Sequence, residues 1–318
     1  MKLSQIRDVV LVAERGSVRA AARQLSIAQP AISRSIRELE HELGTALFER
    51  SARGVTLTPM GELFVKRAHA AQSELRQARD EIEQFKGQTT GLVSAGLSTV
   101  SHLALLPGAL ERFRARYPSV MLRISEGLLP SLEGALREGA LDFYIGPLAE
   151  TPPAQEFIVE KLFDNTRRVF CRRGHELASA TSLADLVDAQ WISTSVTASD
   201  DAELVPLFAS YGLPRPRIGM HAPSALTMAL ATANSDLLMM LPEQWLDAPI
   251  TRDLLACIPV REKLPAPPIC IVRRARLPLT PAAEYFADML RRSAAYLVAA
   301  RERAGATGLM GKFVPVMP

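Results

Sequence analysis

Residues 16–44 read GSVRAAARQLSIAQPAISRSIRELEHELG, and this stretch decides the fold of the N-terminal part. Gly16 stops a preceding apolar-striped segment. Ser17 stands where an N-cap belongs, its hydroxyl placed to accept a backbone N–H of the next turn. Val18–Leu25 is alanine-rich, which lets helices approach closely. Ser26-Ile27-Ala28 is a tight connection, and Pro30, which needs no backbone N–H, fits the first turn of a new helix. That helix runs to about Leu43, with Ile32, Ile36, Leu39 and Leu43 inward and Gln29, Ser33, Arg34 and Arg37 outward. Two short helices, a tight turn and a polar second helix predict a helix-turn-helix, whose second helix enters the major groove of DNA.

Outward from this stretch, Leu3–Arg15 carries Leu3, Ile6, Val9, Val10 and Ala13 on one helix face. Downstream, 46–50 and 54–58 read as two short strands with Ser51-Ala52-Arg53 at their tip. They form a β wing whose Arg50 and Arg53 suit phosphates or a minor groove. Thr58-Pro59 is a cap and a first-turn proline. A long helix follows to about Lys86, with Phe64, Ala68, Ala71, Leu75, Ala78, Ile82 and Phe85 in steps of four and three. That seam between polar flanks predicts a helix-to-helix dimer contact.

The charge sits in the same place. Of a net +3, residues 1–58 account for all: nine Lys and Arg against six acids, with no acid between Arg15 and Arg37. A basic head on a neutral body is the footprint of nucleic-acid binding. The 48% apolar composition excludes a wholly disordered chain. Three cysteines, Cys171, Cys257 and Cys270, form no CxxC pair and predict core packing rather than a metal or disulfide framework. The N-terminus does not read as a signal peptide, and no apolar run is long enough to cross a membrane, so a cytoplasmic protein is expected. The five histidines lack metal-ligand spacing, and HExxH, GxSxG and GxGxxG are absent. Neither an enzyme nor a cofactor is expected.

After the linker Gly87-Gln88-Thr89-Thr90-Gly91, strand and helix signals alternate. Strands are predicted at 92–97, 120–125, 141–146, 157–163, 167–172, 191–193, 217–221, 236–241 and 269–274. Helices are predicted at 103–117, 131–138, 183–187, 202–211, 224–233 and 281–303. This is a βαβ pattern, which implies parallel sheet covered on both faces.

Residues 16–50 together with Val55-Thr56-Leu57-Thr58-Pro59-Met60-Gly61 resemble the LysR-type transcriptional regulators, through AA, QPAIS, IRELE, LG and LF-R. Ala28 departs from the pattern, since the family usually has Ser at that cap. Within the family, SYGLPRPRIG, NSDLLMMLP and LPLTPAA look most like regulators of aromatic carboxylate and sulfonate degradation. The resemblance implies an α/β protein with a winged helix-turn-helix at 1–58 and a dimerising linker helix at 59–87. A two-lobed effector domain like periplasmic binding proteins follows at 88–303; the Gly/Pro-rich residues 304–318 read as a flexible tail. Lobe one spans 92–161 and 268–303, and lobe two 162–267. Double-stranded promoter DNA, a small-molecule effector, RNA polymerase and further copies of the chain, as dimer and tetramer, are the implied partners. Activation is the family expectation. A solute-binding module or an α/β metabolic enzyme remains the alternative.

Gln29, Pro30, Ser33, Arg34, Arg37, Arg50 and Arg53 are the candidate DNA-binding residues. The effector cleft is expected at the carboxyl ends of the strands. Ser98, Thr99, Val100 and Ser101 open a helix there, where free N–H groups and the helix dipole favour an anion. By the resemblance, Leu129, Gly146 and Pro147 join them from lobe one, and Ser195, Val196, Thr197, His221 and Ser224 from lobe two. Leu129, Val196 and Met240 would supply apolar walls. An aromatic or unsaturated organic acid fits this set. Asp200 and Asp201 suit an ammonium instead, which keeps an amino acid open.

Overall fold

The computed structural model describes residues 1–51, 54–148, 155–194, 203–246 and 248–306. The N-terminal body holds helices α1 (Leu3–Arg15), α2 (Val18–Leu25) and α3 (Gln29–Leu43), the hairpin strands β1 (Phe48–Ser51) and β2 (Gly54–Leu57), and the start of α4 (Pro59–Phe85). Val9, Val12, Ala21, Ile32, Leu39 and Leu47 close its core. Several helix ends have a local cause. The Ser17 hydroxyl accepts from Ala20 N–H at 3.3 Å, and Thr58 accepts from Gly61 N–H at 2.9 Å. Gly16 and Gly44 end α1 and α3 in the left-handed region. Ala28 gives α3 no side-chain cap. Gly61 brings α4 against the wing: a Cβ there would fall 2.0 Å from the Leu47 carbonyl oxygen.

The larger body begins with β3 (Thr90–Leu97), α5 (Thr99–Ala104), α6 (Leu106–Arg116), β4 (Ser119–Glu126), α7 (Leu129–Arg137) and β5 (Phe143–Pro147). Then come β6 (Phe157–Arg172), β7 (Gln190–Ser193), α8 (Leu204–Ser210), β8 (Arg217–His221), α9 (Ala225–Ala233) and β9 (Leu238–Pro242). β10 (Leu255–Ile258), β11 (Pro265–Arg274) and α10 (Pro281–Ala306) end the described chain. The strands follow the order β4-β3-β5-β11-β6-β9-β7-β8, with β10 on β6. β3 is parallel to β4 and β5, and β7 is parallel to β8 and β9, so each lobe carries a parallel trio. β6 and β11, antiparallel to each other, connect the trios.

Several sequence expectations are revised. The strands expected at 157–163 and 167–172 are one 16-residue strand, because β6 must cross from lobe to lobe. The helix expected at 103–117 is two, broken at Leu105 before Pro107, whose ring bars it from a continuous helix interior. The segment 183–187 is a single 3-10 turn, and β10 was not foreseen. α10 extends past the expected end at 303; most of the expected tail lies outside the described residues.

Candidate nucleic-acid interface and effector cleft

α3 buries Ile32, Ile36 and Leu39 and exposes Gln29, Pro30, Arg34 and Arg37, with Ser33 half-buried at the edge of the same face. Arg37 Nε donates to the Ser33 carbonyl at 3.1 Å, which holds that guanidinium along the helix. No acid on the face pairs with Arg34 in the described contacts, and Arg34, Arg37, Glu38 and His41 line a shallow hollow. Arg50 lies on β1 opposite Val55 of β2, on the wing beside this helix. Arg53 lies outside the described residues. A helix with polar and cationic side chains facing outward can insert into a major groove, and a flanking strand pair can reach phosphates.

In lobe one, Ser98, Leu129 and Gly146 come together where β3, β4 and β5 end. The Ser98 hydroxyl accepts from Ser101 N–H and pairs with the Ser101 hydroxyl at 3.1 Å; Ser101 Oγ donates to the Ile145 carbonyl at 2.9 Å. Both hydroxyls are therefore engaged inside the lobe, and Ser101 is fully buried. Val100 belongs to the lobe-one core, and Met240 to the lobe-two core opposite Val169 of β6. These placements count against direct effector contact by Val100, Ser101 and Met240, because packed apolar neighbours or backbone bonds already occupy them.

Thr99 stays half-exposed, and its hydroxyl donates to Glu126 Oε1 at 3.0 Å. The sequence reading missed this carboxylate beside the expected anion site, since the two residues meet only when β3 and β4 pair. Pro147 is half-buried at the end of β5. In lobe two, His221 and Ser224 are exposed where β8 ends, and the Ser224 hydroxyl accepts from Thr227 N–H to cap α9. Ser195, Val196, Thr197, Asp200 and Asp201 lie outside the described residues. Two further groups were not singled out by sequence: the Tyr144 hydroxyl on β5 and the Gln244 amide just after β9. Both are buried without a hydrogen-bond partner among the described residues. No group of His, Cys, Asp and Glu among the described residues can hold a metal ion, and no described helix is long and apolar enough to cross a membrane.

The polar face of α4 is docked on lobe one. Gln77 Nε2 donates to Asp142 Oδ1 at 2.7 Å, and Ser94 N–H donates to Asp142 Oδ2 at 2.7 Å. Arg274 bonds both Glu74 and Gln77, Ser73 donates to the Gly139 carbonyl, and Gln84 Oε1 accepts from Ala282 N–H at 2.9 Å. Burial pushes the Asp142 carboxyl up to about 6, against the opposing pull of the Ser94 N–H and of Arg76 and Arg274.

Comparison with known proteins agrees with this layout. Residues 3–62 match the family model described as bacterial regulatory helix-turn-helix protein, lysR family, and residues 86–295 match the LysR substrate binding domain. The SDS degradation transcriptional activation protein of Pseudomonas sp. (strain ATCC 19151) is 30% identical over 89% of this chain and 93% of its own length. The HTH-type transcriptional regulator TdcA of Escherichia coli (strain K12) is 27% identical over 90% of this chain and 91% of its own. Among solved structures, the LysR family regulator CbnR superposes with a TM-score of 0.69 at 21% identity, covering 92% of this chain and 99% of that one. HinK of Pseudomonas aeruginosa gives a TM-score of 0.56 at 28% identity, covering 93% and 99%.

Proposed function

Because this chain belongs to the LysR family of DNA-binding transcriptional regulators, and is not an enzyme, we propose that α3 reads promoter DNA under the control of an organic acid held between the two lobes. The observation that carries the DNA half is the exposed face of α3, with Gln29, Arg34 and Arg37 opposite buried Ile32, Ile36 and Leu39. Gln29, Ser33, Arg34 and Arg37 face the major groove, and Arg50 and Arg53 meet the backbone. Residues 1–58 bind DNA, 59–87 dimerise, and 88–303 sense the effector. The working form is a cytoplasmic tetramer on two half-sites, and it activates.

The acid half of the reading rests on the Tyr144 hydroxyl, left without a partner among the described residues where β3 and β5 end, and on the start of α7 beside it, which has no side-chain cap. A second reading has its own support: Glu126 beside Thr99 offers an ammonium its counter-ion, which favours an α-amino acid. Glu126→Gln separates the two, weakening an amino acid and leaving or improving an acid without an amine.

In vitro selection from a random duplex pool tests the DNA half. The expected product is a paired half-site with dyad symmetry, as a two-fold dimer requires. A pool bound only through salt-sensitive charge, with no enriched sequence, would remove sequence-specific reading.

A further inference from the structure

Tyr144 of β5 is fully buried. In the sheet it stands between Gly96 of β3 and Val272 of β11, and its ring packs on Leu129, Leu132 and Leu136 of α7. The ring runs toward the carboxyl end of its own strand: a Cβ at Gly146 would fall 2.0 Å from Tyr144 Oη and 2.8 Å from Ser98 Cβ. Glycine at 146 is what lets the phenol lie there. The hydroxyl thus ends among Ser98, Gly146 and Leu129, at the mouth of the parallel trio.

At that point the hydroxyl has no hydrogen-bond partner among the described residues. The backbone group bearing on it is Leu129 N–H, itself a donor, at the start of a nine-residue helix that has no side-chain cap. Burial pushes the phenol further above its ordinary range, so its proton stays on at any physiological pH. Folded proteins leave few buried hydroxyls unpaired, because the desolvation is uncompensated. Here the phenol oxygen faces the Leu129 N–H and the positive end of a helix dipole, while the hydroxyl's own proton has no acceptor among the described residues.

We propose that Tyr144 receives the carboxylate of the effector and so selects for acids at the lobe-one end of the cleft. The inference rests on the cleft reading above, and carboxylate is common to an organic acid and an amino acid. Because the ring fills the space over Gly146, only the acid group enters lobe one, and the rest of the ligand lies toward lobe two.

The test compares full-length wild type with Tyr144→Phe, which removes one oxygen. Both are melted alone and with benzoate, 4-hydroxybenzoate, cis,cis-muconate, succinate, L-alanine and L-serine, followed by calorimetry on each acid that raises the wild-type Tm. Without ligand the variant is expected to melt close to or above wild type, since the hydroxyl's proton has no acceptor among the described residues to lose. It is expected to bind those acids roughly three- to tenfold more weakly, the size of one hydrogen bond. A variant that melts several degrees lower without ligand has lost a structural bond, and the proposal fails. Equal Kd values in the two proteins also overturn it and leave the cleft reading standing. If none of the acids raises the wild-type Tm, the carboxylate class is wrong, and the acid reading of the effector falls with it.

Discussion

Arg34 shows how far a single residue could be read. Its exposure on α3 follows from the 3.6-residue period that buries Ile32, Ile36 and Leu39, so a local pattern sufficed. If Arg34 reads a base, Arg34→Ala costs about 1–3 kcal/mol of preference for the selected duplex over random DNA. Anisotropy titrations against both duplexes measure it, and an unchanged ratio assigns Arg34 to the backbone. Side chains in the cleft were less legible. Ser98 and Thr99 are legible as a turn, but partners that fix them are far away in sequence: Ser98 N–H bonds the Ile145 carbonyl and Thr99 bonds Glu126. The unbroken apolar run Phe143-Tyr144-Ile145 suits a strand buried on both faces; nothing in the sequence says that the Tyr144 hydroxyl lacks an acceptor, because a missing partner is a property of the packed lobe.

Among the elements, α4 was half legible. Its apolar seam is visible as steps of four and three, whereas the docking of Gln77 and Gln84 on lobe one is not, since polar residues on a helix read as solvent-facing. Strand β6 was cut in two because the interior of its crossing, Asp164-Asn165-Thr166, carries turn-forming residues that pairing with β11 overrides. The α4 contact has a pH signature. The folded-state value of Asp142, about 6, is raised above the ordinary 3.8, so the folded protein holds this proton more tightly than the unfolded chain. The stabilisation is fully present below about pH 4 and is lost as pH rises through about 6, by up to about 3 kcal/mol. Asp142→Asn removes the titration at the cost of one bond, about 1 kcal/mol, since its amide cannot accept from both Ser94 N–H and Gln77. Urea unfolding at pH 4.5 and 7.5 should therefore show the wild type losing ground to the variant as pH rises. Parallel pH profiles for the two proteins would mean that Asp142 stays ionised throughout and that burial does not govern it.

At the scale of the molecule, the two faces of α4 divide the work. One face is fixed to lobe one by Gln77, Gln84, Asp80 and Glu74. The other face has no cover in the single chain: Leu75 is 51%, Ile82 55% and Phe85 76% exposed. Phe64 and Ala68, at the start of the same seam, pack instead on Ile6 and Val10 of α1, so the open stretch begins beyond the DNA-binding body. An uncovered apolar stripe on a helix held from behind is the geometry of a coiled-coil partner, and two copies joined there would present two α3 helices to one duplex. Placing Asp at both Leu75 and Ile82 puts unpaired charge into that seam. Since both side chains are exposed in the single chain, the fold of each protomer should survive, with unchanged circular dichroism. Light scattering at micromolar concentration should then give a lower mass than wild type. Affinity for the selected paired site should drop toward that for an isolated half-site. If the mass is unchanged, the chains associate through another surface, and the stripe on α4 has a different occupant.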